Sequence, residues 1–218
     1  MRLSLLLLTC LIGLSGCSSV YYGAMEKVGI PKRKILVDRV GAARAAQQDA
    51  KVQFSSALAQ FLAVTKVPAT ELQATYEKLD GEFKRSESRA REVRDRIAAI
   101  DSVALALFDE WATELGQYKS ASLRAQSDRQ LTTTRNRYAA LMRVMDQAAA
   151  GMNPVIDAFR DQVLFLKHNL NAQAVTALSG STRELQQDIT RLVADMEKSI
   201  KEADAFIASM RSTPPPAS

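Results

Sequence analysis

The sequence predicts an all-α fold: an elongated antiparallel helical bundle or coiled coil of about four long helices. Three observations lead there. Ala, Leu, Gln, Arg, Lys and Glu dominate a chain with only 6% aromatic residues, nine glycines and six prolines, and these are the residues that lose least on entering a helix. Apolar residues recur at alternating steps of four and three over long stretches, the spacing of helices packed along a seam. The breaks between those stretches fall at proline, glycine and serine. At 218 residues, 47% hydrophobic and 24% charged, the chain is globular in class and of a size for one domain.

Residues 1–16 read as a processing segment. Arg2 gives a short positive start, and Leu3 to Leu14 form an apolar stretch too short to span a bilayer. Leu14-Ser15-Gly16-Cys17 then resembles the lipobox of bacterial lipoproteins at all four positions. That resemblance implies a diacylglyceryl group on the Cys17 thiol, with Cys17 as the first residue of the mature chain. Ser18 in place of Asp implies sorting to the outer membrane, on its periplasmic face. A plain secretory signal that leaves Cys17 free is the alternative. Cys10 lies in the segment to be removed, so the mature body keeps no thiol for a disulfide and must fold by packing alone. Loss of Arg2 lowers the formal charge from +5 to +4, which suits an anionic lipid surface and is too weak to point to nucleic acid.

A lipid anchor and linker, residues 17–33, contain Gly23, Gly29 and Pro31, which break any continuous helix. The first helix is predicted over residues 34–66, where Leu36, Val40, Ala43, Ala50, Phe54, Ala57, Phe61 and Val64 keep the seam with Gln47 as its one polar member. Val67-Pro68 ends it. The second, residues 69–117, has the strongest pattern: from Leu72 to Tyr118 only Ser86 and Glu114 are polar on the seam. More than six heptads imply left-handed supercoiling over about 70 Å. The seam crosses Asp80-Gly81 without a phase slip, so Gly81 reads as a glycine inside the helix.

The next turn is placed at about residues 116–128, with Ser127 and Gln130 resembling a capping box for a third helix over residues 127–178. Its seam runs from Leu131 to Leu170 with Arg135 as the exception, and its phase survives Gly151-Met152-Asn153-Pro154, which favours a kink there over a reversal. Ser181 and Glu184 resemble a second capping box, opening a fourth helix over residues 181–211 with Leu185, Ile189, Leu192, Met196, Ala203, Ile207 and Met210 on its seam. Residues 212–218 form a proline-rich disordered tail. The body, residues 34–211, is a single helical domain.

Short connections make consecutive helices antiparallel, so the turns near Pro68 and Gly180 share one end. The first and fourth helices are shorter than the others by roughly 15 residues, about 22 Å on the helix rise. One end should then be a four-helix bundle and the other a protruding hairpin of the second and third helices. The first helix starts on the hairpin side, so the chain is expected to leave toward its lipid there, with the tip facing the membrane. Lys119, Arg124, Arg129, Arg135 and Arg137 stand at that tip, and Lys32, Arg33 and Lys34 in the linker. Together they are a candidate membrane-contact surface, each base contributing about 1 kcal/mol near an anionic headgroup layer. In Lys84 to Arg96 acids are interleaved at helical pairing distance, and that stretch reads as a solvated face.

His168 is the only histidine, too few for a di-iron bundle site or a histidine-built zinc site. No Gly-x-Ser-x-Gly elbow, reactive cysteine, Gly-x-Gly-x-x-Gly or Walker pattern occurs. The expectation is therefore of no catalytic residue, no metal or other cofactor, no small-molecule substrate and no nucleic acid. Three stretches resemble a known family: Tyr21 to Val40 (YYGAMEKVGIPKRKILVDRV), Phe159 to Val175 (FRDQVLFLKHNLNAQAV), and Ala106 to Trp111. They are similar to the bacterial domain-of-unknown-function family 2959 over nearly the whole mature chain. The resemblance implies one lipoprotein-type helical unit and carries no activity. Within the second stretch Lys167, His168, Asn169 and Asn171 lie beside an apolar seam and form a candidate partner surface. The expected role is a lipid-anchored, non-enzymatic envelope protein that meets a protein partner or itself through its helices. The rival readings are a membrane-shaping coiled coil acting through the basic tip, and an enzyme with an unrecognised site.

Overall fold

A computed structural model of the protein describes Tyr22, Met25 and residues 29–64, 66 and 68–212. The processing segment 1–16, Cys17 and the tail from residue 213 lie outside the described residues. Among those described, all regular structure is helical: α1 Lys32–Val64, α2 Leu72–Glu114, α3 Ala121–His168 and α4 Ala172–Ser212, with single 3-10 turns at Ala69–Glu71 and Leu115–Gln117. Each helix packs on its two neighbours in the cycle α1, α2, α3, α4 and back to α1. This is an up-and-down four-helix bundle. Its longest helix, of 48 residues, is about 72 Å long on the helix rise.

The seams bury as their spacing requires. Leu36, Val40, Ala43, Gln47, Ala50, Phe54, Ala57, Phe61 and Val64 of α1 are all fully buried, and on α2 every seam position from Leu79 to Trp111 is buried, Ser86 included. Phe159 of α3 meets Phe61 and Phe83 edge-on at 6.2 and 6.0 Å between centroids, joining three helices in one aromatic layer. Two buried polar clusters interrupt the apolar seam. Ser199 Oγ donates to Gln47 Oε1 at 2.9 Å across α1 and α4, and Gln47 Nε2 is left without a partner. Glu82 of α2 accepts from Ser56 of α1 and from Arg85, and it also pairs with Gln53.

Two helix boundaries differ from those the sequence predicts, for the same reason. Serine followed by glutamine or glutamate signals a cap, but both serines lie inside helices. α3 starts six residues before Ser127, where the Ser120 hydroxyl accepts Leu123 N–H at 3.4 Å. Ser127 is instead buried and accepts the Trp111 indole N–H at 2.8 Å. At the other end α3 stops at His168, because the Asn169 side chain turns back to Phe165 O at 2.9 Å and its N–H to Leu166 O at 3.2 Å. Only residues 169–171 separate α3 from α4, and α4 runs through Gly180 and Ser181. Leu170, predicted on the seam, is therefore in the turn and exposed. The helix passes through Pro154 without interruption.

The longer α4 shortens the overhang. Arg33 donates from Nε and Nη2 to Met210 O at 3.2 and 2.8 Å, and Lys32 pairs with Glu110 at 3.2 Å. The start of α1, the end of α4 and Glu110 thus share one level. Beyond it the α2/α3 hairpin protrudes by about 12 Å on the helix and 3-10 rises, rather than about 22 Å.

Before α1, the described residues Tyr22 and Met25 do not lie at the hairpin tip. Gly29 takes a left-handed conformation, φ 82°, and Ile30 N–H donates to Met25 O at 2.9 Å, the closure of a Schellman turn that suits glycine. Tyr22 and Met25 are helical. Tyr22, 4% exposed, joins the core and its hydroxyl lies 2.9 Å from Ser102 Oγ.

Candidate interaction surfaces at the two ends

At the hairpin end Trp111 and Tyr118 both point to the Ser127 hydroxyl, Tyr118 at 3.4 Å, which ties α2 to α3 across the turn. Phe108 packs edge-on to Tyr138 at 5.4 Å. Around this apolar post stand the bases. Lys119, Arg124, Arg129 and Arg137 are exposed, and among the described residues none of them forms an ion pair. Arg129 and Arg137 line one open groove with Gln126, Gln130, Thr133 and Thr134. The first turn of α3 contains no acid, so the partial positive charge of the helix N-terminus adds to that of Arg124. Leu123, 52% exposed, sits beside it.

The remaining predicted contact bases are engaged elsewhere. Arg135 reaches across to α2, donating to Phe108 O at 3.2 Å with its guanidinium over the Phe108 ring. Lys32 is nearly buried against Glu110. Arg33 caps the last carbonyls of α4, and burial lowers its pKa. Lys34 pairs with Asp38 one turn on. The linker bases and the tip bases therefore do not form one surface.

At the opposite end Lys167 and His168 occupy the last turn of α3, where the helix dipole favours positive charge. Both are exposed, as is Asn171, while Asn169 is half-buried and serves the cap. Sequence reasoning missed the apolar residues around them. Leu164, Phe165 and Leu170 are 48%, 40% and 38% exposed, three large side chains within seven positions. Their signal is the run Leu164-Phe165-Leu166, of which a heptad seam buries only Leu166.

One ionisable cluster lies between the ends. Burial, then a hydrogen bond to Asp101, raises the Tyr138 phenol pKa well above its ordinary value, and burial with the Asp101 charge raises Asp146. These groups join α2 to α3. Among the described residues no three His, Cys, Asp or Glu side chains are grouped to hold a metal, and no helix is long and apolar enough to cross a membrane.

A family model described as a protein of unknown function (DUF2959) matches residues 21–210. No curated protein and no solved structure matches the chain.

Proposed function

We propose, for a chain that belongs to the DUF2959 family, the role of a lipid-anchored, non-enzymatic module of the cell envelope that presents a helical rod to a protein partner in the periplasm. The observation that carries the reading is the Leu14-Ser15-Gly16-Cys17 motif, which stands five residues ahead of Tyr22, a residue buried in the core. Ser18 favours the outer membrane. The exposed apolar turn at Leu164, Phe165 and Leu170 supports a protein contact, because three clustered large side chains at a helix end invite burial. Fractionation of envelopes tests the anchor: Cys17→Ser is expected to move a folded protein from the membrane to the soluble periplasmic fraction, and a variant still bound to membrane would refute it.

A second reading is favoured by one feature of the tip. Exposed Leu123 lies next to Arg124 and near Lys119, a pairing of apolar and basic groups suited to an anionic interface. In that reading the tip binds or shapes membranes. Replacing Arg124, Arg129 and Arg137 with Glu should abolish co-sedimentation of the protein with phosphatidylglycerol liposomes; undiminished binding rejects it.

A further inference from the structure

Charge is divided between the two helices that build the hairpin. From Ile97 to Tyr118 the acids are Asp101, Asp109, Glu110 and Glu114, with no lysine or arginine. From Lys119 to Met145 the bases are Lys119, Arg124, Arg129, Arg135, Arg137 and Arg143, with Asp128 as the one acid. Helical spacing gathers part of each set into an exposed stripe. On α2 Ala98, Asp101, Leu105, Asp109 and Ala112 recur at steps of three and four and are all exposed, Leu105 by 66%. On α3 Arg129, Thr132, Asn136, Ala139 and Arg143 do the same. The α2 stripe is turned to α3, since Asp101 bonds Tyr138. The α3 stripe lies between Tyr138 and Gln147, which donates to Asp195 of α4, and so points away from the core. The two stripes make one outer face of the bundle. Trp111 meets Ser127, Phe108 meets Arg135 and Asp101 meets Tyr138, which sets the levels along it. Asp109 stands within about one turn of the level of Arg129, and Asp101 within about one and a half turns of that of Arg143.

Within one copy these acids and bases stand side by side without meeting: Asp109, Arg129 and Arg143 form no ion pair among the described residues. Farther from the tip, by contrast, Arg160 reaches from α3 to Glu87 of α2 at 2.9 Å. We infer that the outer face of α2 and α3 is an interface between two copies of this chain. They pack face to face about a two-fold axis parallel to the helices, so that the acidic stripe of each α2 lies on the basic stripe of the other copy's α3. Rotation about that axis exchanges the helices and keeps their levels. Asp109 then meets Arg129 of the second copy and Asp101 approaches Arg143, each contact occurring twice. Leu105 comes down between Thr132, Asn136 and Ala139, whose short side chains leave room for it. A two-fold axis across the helices would instead set α2 on α2 and α3 on α3, acid on acid and base on base, which repulsion opposes. The favoured pairing points both hairpin tips the same way and does not depend on the anchor. The face is about 21 Å long on the helix rise and two helix diameters wide, so the two copies together bury about 800 Å². That is below the area of a stable dimer and suits a reversible one held by charge.

Sedimentation equilibrium of the full chain in a neutral, density-matched detergent reads the association. Monomer and dimer in reversible equilibrium are expected at low salt, with the dimer weakened about tenfold or more at high salt. Asp109→Arg and Arg129→Asp alter exposed side chains, and each should weaken the dimer about tenfold or more. Both changes in one chain exchange the charges and should restore the dissociation constant to within about threefold of the parent. Restoration by the exchange separates pairing through this face from damage to the fold and from clustering of chains in a micelle. A chain that stays monomeric at low salt leaves the face to a different partner and overturns the inference. So does a dimer indifferent to salt and to both single changes, or one that the combined change fails to restore.

Discussion

The two ends of the bundle are built on opposite principles. At the end formed by the turns after α1 and α3, Phe61, Phe83 and Phe159 join three of the four helices, and the exposed surface is apolar at Leu164 and Phe165 of α3 and Leu170 of the turn. At the other end only α2 and α3 continue, held by Trp111 on Ser127, and the surface is basic. A region with four partners per layer can lose a contact and remain folded. A two-helix tip has one interface and no reserve, so its stability is local and low. The tip is therefore expected to open without unfolding the rod, whereas the opposite end is expected to open only with the whole bundle.

The sharpest break of this comparison is a pair of truncations. Phe159→Ala is expected to cost about 3–5 kcal/mol and to lower the global unfolding midpoint. Trp111→Ala removes a side chain of similar burial, yet it should act on the tip: hydrogen exchange of residues 108–131 accelerates while amides around Phe159 keep their protection. Equal loss of protection at both ends would erase the distinction.

The middle of the bundle gives the next effect. Gln47 Nε2 is buried without a partner, and such a donor costs about 1–3 kcal/mol. Gln47→Leu combined with Ser199→Ala should therefore raise the unfolding free energy by up to about that amount, at the loss of a polar pair that can fix the register of α1 on α4. A double variant less stable than the parent would show that the polar pair is stabilising.

Capping supplies the smallest effects, again different at the two ends. Ser120→Ala removes the cap of α3 and should cost about 1 kcal/mol, felt as faster exchange in the tip. Gly180 lies inside α4, and a Cβ there meets nothing within 4 Å. Gly180→Ala is expected to stabilise by up to about 1 kcal/mol, a gain that thermal unfolding would register and that a reversal at Gly180 would turn into a loss.

How much of this was legible in the sequence depends on the range of the interaction. The seam of α1 buries to its last residue as read, because burial follows directly from helical spacing. The same spacing correctly carried helix through Gly81 and Pro154. Caps were misplaced because a serine hydroxyl accepts any nearby donor: Ser127 was given to Trp111, 16 residues away in sequence, which no local pattern discloses. The turn at Asn169 was hidden by seam phase, since Leu166 and Leu170 fit one helix as well as two. Lys32, Arg33 and Arg135 look like free bases in sequence, and their commitments to Glu110, Met210 O and Phe108 depend on partners 78, 177 and 27 residues distant. Least legible is the burial of Tyr22 beside Ser102, 80 residues on, from a stretch whose glycines and proline read as a linker.

Native-state hydrogen exchange of the unsubstituted protein reads the difference between the two ends most directly. Amides of residues 111–124 are expected to exchange through local opening, well below the free energy of global unfolding, while amides around Phe159 exchange only with global unfolding. Equal protection at the two ends would contradict it.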